Sequence, residues 1–256
     1  ILHDVDGTRR TCVMLSTPEI GGFFAPRPDG TWAPFRPFAS YAAEIASPNA
    51  RWADLFGSGR KDMVVPIPDG LRVYRSQGTE GFAAPMVVPV PADFPTLEER
   101  NESTLVTFAD MLGDGLAHCV QVSDGRVEVW PNLGGGRFAA AYQMTGAPRL
   151  GSDIASNRIL LGDFTGSGLA DLVVVHADRV ELYRNQSSNG FAPAVCLALP
   201  GGVDSLDHVI AVDLLGTGLD VLAVFKDGRG NDVFIDFCGG VFPGLLAGSR
   251  TATGAR

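Results

Sequence analysis

An Asp-x-x-Gly-x-Gly turn recurs along this chain at nearly even intervals, and that recurrence restricts the possible fold more than any other feature. It reads Asp54-Leu55-Phe56-Gly57-Ser58-Gly59, Asp110-Met111-Leu112-Gly113-Asp114-Gly115, Asp163-Phe164-Thr165-Gly166-Ser167-Gly168 and Asp213-Leu214-Leu215-Gly216-Thr217-Gly218, with a shortened form, Asp4-Val5-Asp6-Gly7, at the start. Successive first aspartates lie 50, 56, 53 and 50 residues apart. A second motif keeps the same phase: Tyr74-Arg75-Ser76-Gln77-Gly78 to Phe82, Trp130-Pro131-Asn132-Leu133-Gly134 to Phe138, and Tyr183-Arg184-Asn185-Gln186 to Phe191. Two motifs in register define a structural repeat, and a period near 50 residues belongs to stacked or ring-forming units.

The fourth copy shows what each unit contains. Ile159 to Leu161 is a short apolar run, the glycines after Asp163 suit a turn that needs positive φ, and Asp171 to His176 is a second apolar run. Ala177-Asp178 turns the chain again, and Arg179 to Tyr183 alternates polar Arg179 and Glu181 with apolar Val180 and Leu182, the period of a half-buried strand. A loop from Asn185 to Gly190 leads to Phe191, and Ala194 to Leu199 supplies a fourth strand. Four short antiparallel strands closed by Gly, Asp and Asn turns make one propeller blade. The fold expected is therefore all-β, a β-propeller of four-stranded blades over residues 1–240 with turns at 4, 54, 110, 163 and 213.

A lone blade leaves apolar surface uncovered, so the repeats imply a ring. The first copy begins almost at its own turn, and the chain opens on Ile1 without Met, which reads as a fragment beginning inside a blade. Five copies are expected to be completed into a ring by residues outside this sequence; if the ring closes on these five, the last blade must pair near Ile1. Residues 241–256 are expected to exit toward a following domain.

Composition narrows the partners. A net charge of -9 and a pI near 4.8 argue against nucleic acid and anionic lipid, both of which need a basic footprint. The apolar run Leu172 to Val175 is far below the roughly 18 residues of a membrane-spanning helix. Direct membrane insertion is not expected. Cys12, Cys119, Cys196 and Cys238 form no CxxC pair, and the first three sit among apolar strand residues, where a free thiol behaves as a small hydrophobe.

The Asp-rich turns raise the question of calcium, a hard cation that takes six to eight oxygen ligands. Only the fourth copy places oxygens at positions one, three, five and nine, as Asp163, Thr165, Ser167 and Asp171. The second puts Phe56 at position three, the third has Leu112 and His118, and the fifth has Leu215 and Val221. The competing reading is an Asx-turn in which the first Asp accepts backbone N–H groups without metal. Gly134-Gly135-Gly136-Arg137-Phe138-Ala139 matches a shortened dinucleotide fingerprint, but it fills a blade loop and no helix pattern follows. His3, His118, His176 and His208 make no ligand-spaced pair, and no G-x-S-x-G elbow occurs. No catalytic residues and no cofactor are expected. Pro91 to Ser103, with Asp93, Glu98, Glu99 and Glu102, reads as a solvated inter-blade loop or as an acidic contact surface.

The run Gly22 through Asp29-Gly30-Thr31-Trp32-Ala33-Pro34-Phe35-Arg36-Pro37-Phe38, with Val129 to Phe138, Leu182 to Gln186 and Val212 to Gly216, resembles the B component of the insecticidal Tc toxin complexes. It is also similar to the amino-terminal region of the Salmonella virulence-plasmid B protein. The turns alone resemble the broader FG-GAP (VCBS-type) repeat. The resemblance implies a non-enzymatic propeller within a larger secreted toxin subunit, which caps an Rhs-repeat shell and mediates assembly with, and gating toward, a channel-forming subunit. The tail from Phe242 to Arg256 only loosely resembles the family's continuation, and no Rhs repeat is present. The rival class is a calcium-dependent adhesin or lectin-like propeller, and a third is an enzyme using the ring's central channel.

Overall fold

Asp171–Val175 is buried at all five positions, and the four apolar residues that follow Asp171 make sense only if both faces of the strand are covered. The computed structural model describes residues 2–240 apart from 9, 18, 48, 98–102, 152, 153, 215, 229 and 230. In the first blade β1 (Leu2–His3), β2 (Cys12–Ser16), β3 (Gly21–Phe24) and β4 (Arg36–Pro37) pair in that order. The second holds β5 (Arg51–Ala53), β6 (Asp62–Ile67), β7 (Gly70–Tyr74) and β8 (Met86–Val88), and the third β9 (Leu105–Ala109), β10 (His118–Ser123), β11 (Arg126–Trp130) and β12 (Tyr142–Met144). In the fourth, β13 (Ile159–Gly162), β14 (Asp171–Val175), β15 (Arg179–Tyr183) and β18 (Val195–Ala198) pair, while β16 (Asn185–Gln186) and β17 (Gly190–Phe191) form a small hairpin in the loop. The fifth has β19 (His208–Val212), β20 (Val221–Phe225) and β21 (Val233–Ile235) among the described residues. Every strand pairing within a blade is antiparallel among the described residues, and the chain is an all-β, five-bladed propeller.

Register follows the pleat, which sends successive side chains to opposite faces. Leu172 and Val174 pack against the third blade with Met111, Val120, Val122, Val127 and Val129. Val173 and Val175 pack the other way, against Leu222 and half-buried Val209 of the fifth blade. The second blade divides alike, with Val64 facing the third blade and Met63 and Val65 facing Cys12, Met14 and Phe23 of the first. Four apolar clusters thus fill the four junctions between consecutive blades.

The first and fifth blades meet directly. At three other junctions the residue seven positions after the first Asp donates its backbone N–H to the carbonyl of the preceding blade's Asp: Ala117 to Asp54 (2.8 Å), Ala170 to Asp110 (2.7 Å) and Asp220 to Asp163 (2.9 Å). Thr11 holds that position in the first blade, and its hydroxyl donates to the Asp213 carbonyl of the fifth at 2.5 Å. Of the two ring closures considered, the structure takes the one in which the last blade meets the chain near its start. None of the four clusters spans this seam.

Other expectations are refined. Cys12 and Cys119 are buried free thiols, but Cys196 is exposed, because the outermost strand of a blade has no neighbour over its outer side. The connection after the second blade is not simply solvated: Phe94 packs edge-on against Phe138 and Trp130, and Leu97 is buried among core residues. Glu98, Glu99 and Glu102, and the exit segment 241–256, lie outside the described residues. Gly134, Gly135 and Gly136 all take positive φ in a tight turn bridged by Asn132 and Phe138, and no helix follows, as expected of a blade loop.

Candidate functional site

The repeated turn is built on its first aspartate. Asp163 Oδ1 accepts from Ser167 N–H (3.0 Å) and Oδ2 from Gly168 N–H (2.9 Å), and Asp54, Asp110 and Asp213 make the same fourth- or fifth-residue contacts. A carboxylate that closes its own turn this way is the Asx-turn anticipated from sequence. Gly168 sits at φ +78° with open space around it. Its glycine is required by backbone conformation and not by crowding.

The structure places all four sequence-predicted ligands, Asp163, Thr165, Ser167 and Asp171, in this one turn. Their oxygens already have partners: Thr165 donates its hydroxyl to Asp171 Oδ2 at 2.7 Å, and Ser167 Oγ accepts from Leu169 N–H. Burial pushes the Asp171 carboxyl upward, against the hydrogen bonds from Asn185 N–H and Thr165. A cation here would compete with Thr165 and Asn185 N–H for the Asp171 carboxylate.

Position nine has a second, structural role that sequence reasoning missed. Asp62, His118 and Asp171 each accept the backbone N–H of the residue fourteen further on, Ser76, Asn132 and Asn185, at 2.9 Å in each case. In the third blade an imidazole substitutes for a carboxylate. His118 Nδ1 accepts, so the neutral ring carries its proton on Nε2, which lies 3.2 Å from Asp114 Oδ1 and 3.7 Å from Asp110 Oδ1. In that tautomer the nitrogen carries a proton and offers no lone pair beside the carboxylates of Asp110 and Asp114, which cluster with it here. Burial raises the Asp110 carboxyl, but His118 and the N–H groups of Gly115 and Gly113 outweigh it and hold it below its usual range.

The same asparagines stitch neighbouring blades. Asn185 Nδ2 donates to Met111 O of the third blade and Ala170 O of its own, both at 3.1 Å; Asn132 Nδ2 does the same to Leu55 O (2.9 Å) and Ala117 O (3.2 Å). The legible signal was the in-phase Trp130-Pro131-Asn132 and Tyr183-Arg184-Asn185 motif; the partners are supplied only by ring packing.

The seam between the first and fifth blades carries ionisable groups instead of an apolar cluster. A cavity of about 360 Å³ there, which Gly59 and Lys61 of the second blade also line, is edged by His3, Thr11, Asp213 and Asp220. His3 is buried, its Nδ1 has no partner, and burial together with Lys61 lowers its pKa to about 3. Asp220 lies over Gly162, where a Cβ would come within 2.5 Å of its Oδ2, and accepts Asp163 N–H at 3.1 Å. Burial, opposed by Lys61, raises Asp220 to about 6.

The connections that follow the second and third blades are anchored. In the stretch from Met144 to Asn157, Leu150 and Ile154 are core residues, and Asp124 Oδ1 accepts Leu150 N–H at 2.8 Å. Thr96, Arg149 and Asn157 remain exposed. The antiparallel topology puts these connections on one rim with the turns at 68–70, 124–125 and 177–178, and the Asp turns on the other. No helix is long and apolar enough to cross a membrane among the described residues.

Comparison with known proteins gives solved structures alone, since no protein-family model and no curated protein matches. A chain of a Photorhabdus luminescens Tc holotoxin pore is 32% identical over 91% of this chain, with a TM-score of 0.69. A chain of a TcdB2–TccC3 complex with Cdc42 is 25% identical over 88%, with a TM-score of 0.53. This sequence spans 11% and 13% of those chains. An Agrocybe aegerita lectin that recognises non-reducing terminal N-acetylglucosamine shares the fold alone, at 22% identity, over 91% of this chain and 63% of the lectin, with a TM-score of 0.55.

Proposed function

We propose, from the premise that this propeller is similar over nine-tenths of its length to part of a Tc toxin chain, that it is the propeller module of a secreted toxin-complex subunit. It is non-enzymatic, acts by binding protein, and mediates assembly with and gating toward a channel-forming subunit, alongside an Rhs-repeat subunit or segment. The 32% identity to a chain of the Photorhabdus holotoxin pore carries this reading. The absence of a nucleophile–base or ligand-spaced pair in the sequence supports the non-enzymatic part. The rim formed by the inter-blade connections presents the docking face, because loops on a rigid scaffold carry recognition.

Assembly is tested in the full-length subunit, mixed with a channel-forming subunit and resolved by size exclusion. The variant Thr96→Lys, Arg149→Glu, Asn157→Lys alters exposed positions and leaves Phe94, Leu97, Leu150 and Ile154 in the core. Loss of the complex with an unchanged melting temperature is the expected result. A complex that forms normally moves the interface off this rim, and hydrolytic activity of the pure isolated propeller would defeat the non-enzymatic assignment.

A further inference from the structure

The first blade faces the seam with side chains that its neighbour does not cover. Cys12 and Met14 of β2 are buried against the second blade, whereas Val13 is half-buried and Leu15 is 44% exposed on the opposite face of the same strand. On the Asp-turn rim this uncovered side opens into a groove of about 560 Å³. Pro26, Pro28, Trp32 and Leu214 form its apolar part, with Trp32 half exposed, and Arg10 and Arg27 are its charged part.

Neither arginine makes an ion pair among the described residues, although the chain carries 29 acidic against 20 basic side chains. The nearby carboxylate of Asp29 is occupied, accepting the N–H (2.9 Å) and hydroxyl (2.7 Å) of Thr31. Asp213, across the seam, closes its own turn through Thr217 and Gly218. Two free guanidinium groups beside an exposed indole, on an otherwise acidic molecule, define a local charge opposite to that of the whole.

We infer that this groove is a docking site for an extended, acidic peptide segment of a protein partner, with an apolar or prolyl residue against Trp32 and carboxylates on Arg10 and Arg27. Guanidinium forks match carboxylates in bidentate geometry, and a half-exposed Trp is a ready anchor for an apolar side chain. The Pro26 and Trp32 bridge holds the anchor on a fixed loop, so little ordering accompanies binding. The groove is on the rim opposite the connections assigned above to subunit docking, so this site goes beyond that assembly role and stands or falls separately from it.

The test uses the 256-residue chain and a fluorescein-labelled Glu-Glu-Phe-Pro-Glu-Glu peptide, with Lys-Lys-Phe-Pro-Lys-Lys and polygalacturonate as comparison probes, read by fluorescence anisotropy. Saturable binding of the acidic peptide alone is expected, weakening as salt rises. Arg10→Glu with Arg27→Glu should reduce affinity by about tenfold or more, and Trp32→Leu, which keeps an apolar side chain at the bridge, by about fivefold. Thr96→Lys, on the other rim, should leave it unchanged. The inference is overturned by no binding, by equal binding of the basic peptide, by polygalacturonate displacing the bound peptide as effectively as unlabelled acidic peptide does, or by full affinity in correctly folded Arg10→Glu, Arg27→Glu protein.

Discussion

The junction between the third and fourth blades and the seam between the fifth and first do the same geometric job with opposite chemistry. At the former, Leu172, Val174 and Ile159 meet Met111, Val120 and Val129 in a dry cluster, and Asn185 reaches across to Met111 O. At the latter, one hydroxyl-to-carbonyl bond, Thr11 to Asp213, joins the blades, two cavities share Thr11 in their lining, and His3, Lys61 and Asp220 are among the residues lining one of them. Apolar burial is insensitive to pH, whereas a seam lined with ionisable groups makes its strength depend on protons. Four joints are therefore expected to be indifferent to pH, and the fifth, whose cavity these groups line, is expected to respond to it.

The largest effect that would sharpen this contrast is a truncation. Leu172→Ala, at a fully buried position, should cost about 3 kcal/mol. Leu15→Ala, on the exposed seam face, should cost less than about 0.5 kcal/mol. Urea melts of the two variants measure the difference, and equal losses would mean that the seam is packed as well as the other junctions.

The second effect concerns protons. Asp220 holds its proton up to about pH 6 when folded but only to 3.8 when unfolded, so its contribution is present below pH 3.8 and is lost as pH rises through 6. His3 has the reverse slope: neutral in the fold down to about 3 and protonated in the unfolded chain below 6.5, it removes stability as pH falls from 6.5 toward 3. The two slopes oppose each other in the native chain. Asp220→Asn, which keeps an oxygen for Asp163 N–H, should add about 1 to 2 kcal/mol at pH 7 and leave a chain that weakens more steeply in acid. His3→Gln should do the opposite to the acid limb. Melts at pH 4, 5, 6 and 7 that superimpose for all three proteins would remove the pH dependence expected of the seam.

Smaller effects test the turns that the two regions share. Gly168→Ala, at φ +78°, should cost about 1 to 2 kcal/mol from left-handed backbone strain alone. A value within about 0.3 kcal/mol of wild type, the range of neutral surface changes, would place the strain elsewhere. Chelation of calcium should shift the melting temperature least of all, because Thr165 and the turn amides already satisfy Asp171 and Asp163. A large drop in EDTA, reversed by calcium, would show a bound ion in the fourth turn, since a ligand held only by the folded state stabilises it by mass action.

Residues 159–199 were legible as a blade because strand period and turn chemistry are local: Arg179–Tyr183 occupies its expected limits, and Val195–Ala198 lies within the expected fourth strand. Phe94 and Leu97 were not legible as core, since a polar, Glu-bearing connection conceals two apolar residues whose partners, Trp130 and Phe138, are more than thirty residues away. Within the candidate site, the Asx-turn role of Asp163 could be read from one turn's sequence. The bridging role of Asp171 could not, because its partner amide, on Asn185, arrives from the far end of another strand.

By itself the sequence determined the blade: four short strands, the Asp-x-x-Gly-x-Gly turn between the first two, and five repeats in phase, all consequences of backbone conformation and side-chain alternation within about fifty residues. Only the tertiary structure decided which blades touch and with what chemistry. Junction contacts join residues such as Thr11 and Asp213, 202 positions apart, and nothing in either local sequence specifies the other. The burial that lowers His3, beside Trp52 of the second blade, and raises Asp220, bonded to Asp163 of the fourth, is likewise decided by the ring, as is the exposure of Trp32, Arg10 and Arg27.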